Sequence, residues 1–168
     1  YWKNSLRSIG SLKVNCLNFA TSKNSRYSFL YGSELVIKQD IADQILQSLK
    51  LAGFNDKASL HQDELDKAEE IISRNVGGSL FQEKLILHLK HTSGKFPEKI
   101  KMILENQHLY NSDNLALIVE SSIEKTPASG AWIKYIDEQG LIVNCSKLKT
   151  NEEKIWLKRQ LEFLPKSL

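Results

Sequence analysis

The chain has 168 residues, of which 41% are hydrophobic and 26% charged, and its formal net charge is +3. This length allows one domain with a continuous core, without help from disulfides or metals. No apolar run approaches the ~20 residues of a membrane-spanning helix, and so small a basic excess is typical of a solvated surface, so composition favours a soluble protein with no membrane partner.

The two cysteines, Cys16 and Cys145, lie far apart in the chain. A lone pair of this kind is typical of reduced, packed thiols, so we expect a reducing, cytoplasmic location. The first residues lack the charged and apolar zones of a signal peptide. Because the chain starts at Tyr1 and stops soon after Pro165, we expect it to be part of a longer protein.

Five short runs rich in β-branched and apolar residues begin at intervals of 27 to 30 residues. Such an interval accommodates a strand, a crossover helix and two loops, and it therefore predicts parallel strands. The predicted strands are residues 26–31, 56–61, 84–89, 114–119 and 141–145.

Helical signals occupy the gaps between these runs. Residues 33–51 carry apolar side chains at i, i+4 spacing and are followed by Gly53, a common helix terminator. The later helices are predicted after Asp63 (residues 64–74), from Pro97, from Thr126 and Pro127 to Gly140, and from a capping box of Thr150 and Glu153 to about Pro165.

The alternation of strands and helices, with almost continuously apolar third and fourth strands, predicts helices on both faces of the sheet. We therefore expect an α/β fold with a doubly wound, five-stranded parallel sheet. Residues 1–25 are expected to form an N-terminal segment, and residues 26–168 the domain itself.

The turn after the first strand is where this class of fold holds a phosphate group. A working phosphate loop needs several glycines, a lysine and a Ser or Thr for magnesium. Here Gly32 stands alone, Glu34 adds negative charge, and Lys38 is not followed by Ser or Thr. The third strand carries His88 and His91 where a hydrolysing relative has an acidic residue. These features predict a degenerate nucleotide site, without a cofactor and without hydrolysis.

Other combinations that carry chemistry are weak. His88 and His91 have no Cys, Asp or Glu close in sequence to complete a metal site. His61 and His108 have no evident partner for nucleophilic catalysis. We therefore expect no catalytic and no metal-binding residues.

A local basic stretch contains Lys90, Lys95, Lys99 and Lys101, with Phe96 among them. A surface that stacks on bases usually has more aromatic or arginine side chains, so a solvated loop is the better interpretation. Any contact with DNA is expected to be indirect at most.

Leu80 and Phe81 follow two glycines, Gly77 and Gly78, and precede the predicted third strand. Chain connections are usually polar, so two large apolar side chains at such a point need either a core to enter or a partner to bind. On these residues alone, an apolar contact at the end of the preceding helix is favoured over a binding role.

Several motifs combine in one order: Ser79, Leu80 and Phe81 before the strand at 85–87, the run 113–119, Ala131 and Trp132, Val143 to Cys145, and Trp156. In order and spacing they resemble the first domain of the delta subunit of the bacterial DNA polymerase III clamp loader. Residues 27–32 with Glu34 are similar to the degenerate nucleotide loop of that family. The resemblance covers about residues 26–164.

The resemblance implies an AAA+-like domain, related to P-loop NTPases, that does not hydrolyse ATP. It also implies that Leu80 and Phe81 are clamp-binding residues, which enter a hydrophobic pocket of the sliding clamp (the beta subunit) and favour the open ring during DNA replication. Other clamp-loader subunits would be bound through regions outside this chain. The lysine- and asparagine-rich composition and residues 1–25 depart from the family pattern.

Two other functions stay open. One is a flavodoxin-like α/β enzyme for a small molecule, with a site at the carboxyl ends of the strands marked by Ser33, Ser121 or Ser146. The other is a scaffold domain of another AAA+ assembly, including a sister loader subunit. A zinc-binding cysteine cluster or an intact phosphate loop would favour the latter, and the sequence contains neither.

Overall fold

The computed structural model describes residues 26–76, 83–106, 109, 112–126 and 130–162. Strands and helices alternate along this part of the chain. The strands are β1 (Tyr27–Tyr31), β2 (Asp56–His61), β3 (Leu85–His91), β4 (Leu115–Ser121) and β5 (Leu141–Asn144). The helices are α1 (Leu35–Leu51), α2 (Asp66–Val76), α3 (Glu98–Glu105), α4 (Ala131–Gln139) and α5 (Thr150–Glu162).

The strands form one parallel sheet in the order β2-β3-β4-β1-β5. This confirms the predicted α/β fold with a five-stranded parallel sheet. The order differs from the flavodoxin-like order β2-β1-β3-β4-β5, because here β4 lies between β3 and β1. The flavodoxin-like alternative is therefore not the architecture of this chain.

Apolar side chains cover both faces of the sheet, as the doubly wound prediction requires. On one face, the apolar side of α1 packs on Leu30, Ile86 and Ile118, and Trp156 of α5 packs against the same cluster. On the other face, α2, α3 and α4 pack on Phe29, Leu87 and the remaining inward residues of the central strands. Burial on both sides explains why β3 and β4 are apolar almost throughout.

Two edges of the sheet matter for function. We call the edge formed by the last residues of the strands, from His61 of β2 to Asn144 of β5, the carboxyl edge. The amino edge is formed by the first residues of the strands, from Asp56 of β2 to Leu141 of β5. Among the described helices, none is both long and apolar enough to cross a bilayer.

Two helix starts differ from the predictions. The fourth helix begins at Ala131 rather than at Thr126. Thr126 lies outside this helix, and its side chain hydrogen-bonds to Tyr31 of β1. The last helix begins at Thr150 as predicted, but the side chain that reaches back is Glu152, which accepts the Lys149 N–H at 2.9 Å. Only the acidic half of a capping box is therefore present, because Lys149 at the N-cap has no side-chain acceptor.

Part of the predicted organisation lies outside the described residues. This applies to the N-terminal segment 1–25, with Cys16, to His108, and to the helix end near Pro165. The division into a segment 1–25 and a domain 26–168 therefore stays a prediction.

Candidate functional site

The turn between β1 and α1 occupies the place of a phosphate loop, but its backbone is bonded to the protein itself. The Gly32 N–H donates to the Ile123 carbonyl at 2.9 Å, and the Glu34 N–H donates to the Cys145 carbonyl at 3.0 Å. In a phosphate site, N–H groups at the start of the helix point at the anion. Here those two donors already have carbonyl partners, so they are not available to hold a phosphate.

Gly32 is required by the close approach of two main chains at this turn. Its φ is +121°, and a Cβ at this position would overlap the backbone of Cys145 and Ser146. The single glycine that looked like the remnant of a phosphate loop therefore serves to pack β1 against the residues after β5.

Lys38 is the basic residue of the turn region, and it points into the protein. Its side chain is buried, and Nζ donates to the Ser121 carbonyl at 3.0 Å. Burial lowers the pKa of Lys38, while Cys145 and Glu120 act in the opposite direction. The ammonium group therefore links α1 to the end of β4 and does not face a nucleotide.

His88 of β3 and Glu120 of β4 form a buried pair on the α1 side of the sheet. Nε2 of His88 lies 2.6 Å from Oε2 of Glu120, and their side chains are 2% and 14% exposed. Burial acts to raise the pKa of Glu120, but the hydrogen bond and charge of His88, together with the charges of Lys90 and Lys38, outweigh it and lower that pKa. The basic groups of His88, Lys90 and Lys38 thus favour the carboxylate form of Glu120.

His91 contacts the opposite face of the sheet. Its Nδ1 lies 2.8 Å from the hydroxyl of Ser121, its direct neighbour across β3 and β4. Ser121 is fully buried, and Nε2 of His91 has no hydrogen-bond partner among the described residues. Within the described residues, this pair is therefore a buried serine beside a histidine whose second nitrogen no acid orients, which differs from the arrangement of a catalytic nucleophile and base.

The other serines named from the sequence are also placed. Ser33 is exposed in the turn after β1, and the N–H and hydroxyl of Ser146 both bond to the side chain of Asn144. The three serines therefore do not share one reactive arrangement. In the described part of the chain, no three His, Cys, Asp or Glu side chains are grouped as metal ligands.

The basic stretch is an ordinary surface, and its aromatic residue faces inward. Lys99 pairs with Asp66, and Lys101 pairs with Glu98 at 2.8 Å. Phe96 is buried, with its ring stacked on Trp132 at 5.0 Å between centroids. It is therefore unavailable for stacking on a base.

His61, at the end of β2, is exposed, and its backbone N–H donates to Glu64.

The predicted clamp-binding residues, Leu80 and Phe81, lie outside the described residues, and so do the glycines before them. What the structure describes is their flanks. α2 ends at Val76, with Ile72 buried against the sheet, and β3 starts at Leu85, whose N–H donates to the Asn114 carbonyl at 2.8 Å. Both flanks lie at the amino edge of the sheet.

The sequence did not indicate that Lys38, His88, Glu120 and Ser121 come together. His88 lies opposite Ile118 in the register of β3 and β4, which puts Glu120, two residues later, on the same face. That neighbourhood depends on β3 lying beside β4 and on α1 crossing them. Neither fact is visible in local sequence.

Comparison with known proteins gives a family and a fold. The family model of the DNA polymerase III delta subunit matches residues 28–146, from β1 to just after β5. No curated protein matches in sequence.

Among solved structures, the chain is similar to the DNA clamp loader delta protein of Bacillus subtilis, with a TM-score of 0.57 and 15% identity. That match covers 82% of this chain and 43% of the Bacillus protein. It is also similar to Rif2 of Saccharomyces cerevisiae, with a TM-score of 0.51, 14% identity, and coverage of 99% of this chain and 72% of Rif2. At these identities the structural likeness shows the fold alone. The chain spans less than half of the clamp loader protein it matches.

Proposed function

The chain belongs to the DNA polymerase III delta subunit family, and on that premise we propose that this domain binds the DNA polymerase sliding clamp and helps to open the ring for loading onto DNA, without hydrolysing ATP. Leu80 and Phe81 are the clamp-binding residues in this proposal. Contacts with other loader subunits are assigned to regions outside this chain.

The observation that carries the proposal is the pair of elements that flank the segment containing Leu80 and Phe81. The segment starts after α2, an amphipathic helix packed on the sheet through Ala68 and Ile72, and it ends at β3, a central strand paired on both sides. Binding residues work best when rigid elements hold them in place. The family assignment and these anchored flanks support a presented apolar pair at the amino edge.

The carboxyl edge supports the second half of the proposal. The two backbone donors at the turn and the buried Lys38 bond to carbonyl groups of the protein. Phosphoryl transfer from ATP depends on positioned donors, a cation and a metal-binding acid around the phosphates. A domain whose former site is closed in this way acts by binding, and the energy of ring opening comes from its contacts with the clamp.

Binding can open a ring only if the open form is bound more tightly than the closed form. An aliphatic and an aromatic side chain entering one pocket can supply much of the affinity, since truncating such a residue commonly costs ~2 to 4 kcal/mol. The Leu-Phe pair is therefore expected to dominate clamp affinity.

The direct test is the double variant Leu80→Ala, Phe81→Ala, measured for binding to the sliding clamp of the same organism by surface plasmon resonance. We expect the clamp affinity to fall about 30-fold or more, because the main anchors are lost. The thermal melting temperature should change little, since exposed residues contribute little to stability.

The control is Leu35→Ala, Val36→Ala, which removes another apolar pair, 72% and 66% exposed, at the opposite edge of the sheet. It should retain clamp binding and melting temperature. If the Leu80, Phe81 variant instead melts far lower while its folded fraction binds the clamp normally, the pair belongs to the core and the proposal is wrong.

A further inference from the structure

A cavity of about 280 Å³ opens at the amino edge, between the last turn of α1 and the residues that precede β1, β3 and β4. Leu49, Ala52 and Phe54 form its apolar wall, and Leu49 and Phe54 are fixed in the core. Its polar rim contains Arg26, Lys84 and Asp113. Lys84 follows Phe81 by three residues in the chain, so the cavity contains a residue close in sequence to Leu80 and Phe81.

The rim has more hydrogen-bond donors than its own contacts use. One guanidinium nitrogen of Arg26 donates to the Ser112 carbonyl at 2.9 Å and lies 3.4 Å from Asp113. Nζ of Lys84 donates to the Ala52 carbonyl at 3.2 Å and lies 5.3 Å from the centre of the Phe54 ring. A guanidinium and an ammonium group carry further donors beyond these. Counted over the contacts of the described residues, both cations therefore have donors that can bind an acceptor in the cavity.

The carbonyl and carboxylate groups around the cavity oppose the binding of an anion only weakly. The carbonyls of the last turn of α1, from Ser48 to Lys50, already accept N–H groups of Ala52, Gly53 and Phe54. The negative end of the helix is thus capped by the chain itself. Asp113 is 94% exposed, so water screens most of its charge.

We propose that this cavity is a second contact for the sliding clamp, in which Arg26 and Lys84 receive a carboxylate side chain of the clamp while its methylene groups lie on Phe54 and Leu49. The proposal rests on the proposed function, because it takes the partner from that function and adds a site. Charge pairs at the margin of a hydrophobic anchor mainly set orientation and the rate of association.

A single carboxylate fits this edge better than a DNA backbone. Asp113 lies on the rim, and Asp56 and Glu83 lie outside the cavity on the same edge, where their carboxyl groups hydrogen-bond to each other and raise the pKa of Glu83. These acids repel a polyanion that runs along the edge. One side chain that enters the cavity meets the two cations first.

The test measures clamp binding by four variants of the full chain at several salt concentrations. Lys84→Glu should weaken clamp affinity about tenfold or more and make it less dependent on salt, because an attraction becomes a repulsion. Lys84→Arg should bind nearly as well as the natural chain. Lys57→Glu is the matched control, an exposed lysine at the same edge that does not line the cavity, and it should change affinity less than about threefold.

Melting curves keep the test independent of folding. Lys84→Met retains the side-chain stem over Phe54, so it should melt like the natural chain and still lose affinity. The inference is overturned if Lys84→Glu and Lys57→Glu weaken clamp binding equally, or if Lys84→Glu leaves clamp affinity within about twofold of the natural chain.

The remaining outcomes separate this inference from the proposed function. Loss of clamp binding in the Leu80, Phe81 variant with no effect at Lys84 would retain the proposed function and reject the cavity. Failure of the natural chain to bind the clamp would reject both. If Lys84→Glu reduces binding to a short DNA duplex and not to the clamp, the cavity serves DNA and the inference is wrong.

Discussion

At the scale of single residues, the notable feature is a group of buried charges at the carboxyl edge. Glu120 is held by His88 at 2.6 Å, and Lys38 bonds to the carbonyl of Ser121. A charged side chain is rarely buried unless a partner compensates its lost hydration. The partners here come from β3, β4 and α1. Each contact therefore links neighbouring elements at the edge of the sheet where a nucleotide-binding domain holds its nucleotide.

The pKa of Glu120 makes this stabilisation dependent on pH. A carboxyl whose pKa is lower in the folded than in the unfolded protein stabilises fully above about pH 4.3 and loses that contribution as pH falls through its folded value. Glu120→Gln should therefore lower the free energy of unfolding by about 1 to 3 kcal/mol at pH 7. The difference from the natural chain should shrink as the pH falls below the unfolded pKa toward the lower folded pKa of Glu120, because the carboxyl is protonated in both states only below the folded value.

Urea unfolding at pH 7, 5 and 3.5 measures this difference. Glu124→Gln, which changes an exposed carboxylate in the loop after β4, is the control and should stay within about 0.5 kcal/mol at each pH. A Glu120→Gln difference that is the same at all three pH values would show that the carboxylate charge contributes nothing.

At the scale of elements, the turn between β1 and α1 is built to meet the chain after β5. Gly32 combines a positive φ with backbone contacts to Cys145 and Ser146. Gly94, in the loop after β3, has a φ of +82° but open space around the position of a Cβ. A comparison of the same substitution at the two glycines therefore distinguishes the cost of backbone strain from the cost of a steric clash.

Gly32→Ala should destabilise the domain by about 3 kcal/mol or more, since both strain and overlap with the main chain apply. Gly94→Ala should cost only about 1 to 2 kcal/mol, because strain acts alone. Thermal and urea unfolding of the two variants give the comparison. Equal losses would mean that the contact of the turn with Cys145 and Ser146 is not tight.

At the scale of the whole molecule, the proposed binding surface lies at the amino edge of the sheet rather than at the carboxyl edge. In open α/β sheets, ligands usually bind at the carboxyl ends of the strands. In this domain that edge is closed by its own hydrogen bonds, and the proposed clamp contacts lie at the amino edge. The fold has the layout of a nucleotide-binding domain, while the binding residues that we propose belong to another surface.

This arrangement predicts that the chain does not bind ATP. Calorimetry with Mg-ATP should show no binding heat, and 1 mM Mg-ATP should leave the melting temperature unchanged. A site with a Kd of about 10 μM would add about 2.7 kcal/mol of stability at that concentration, which a melting curve detects easily. A measured Kd in the micromolar range would contradict the prediction.

Local sequence was sufficient for the secondary structure and the fold class. The strand at 56–61 was located to the residue, and the others within one or two residues, because a parallel sheet buried on both faces requires apolar runs at a regular interval. The degenerate phosphate loop was also visible, since glycine and lysine positions are read directly. The start of the fourth helix was predicted too early: it begins at Ala131, and Thr126 instead bonds through its side chain to Tyr31, which is far away in sequence.

Leu80 and Phe81 stay a prediction from the resemblance, and their flanks alone are placed. The pairing of His88 with Glu120, the inward direction of Lys38, and the meeting of Arg26, Lys84 and Phe54 around one cavity came only from tertiary structure. Their chain separations are large, and their contacts depend on the order of strands and the path of α1. Periodicity reports which face of an element is buried, but strand order is set by the packing of the whole chain, so the neighbours across that order appear only once the chain is folded.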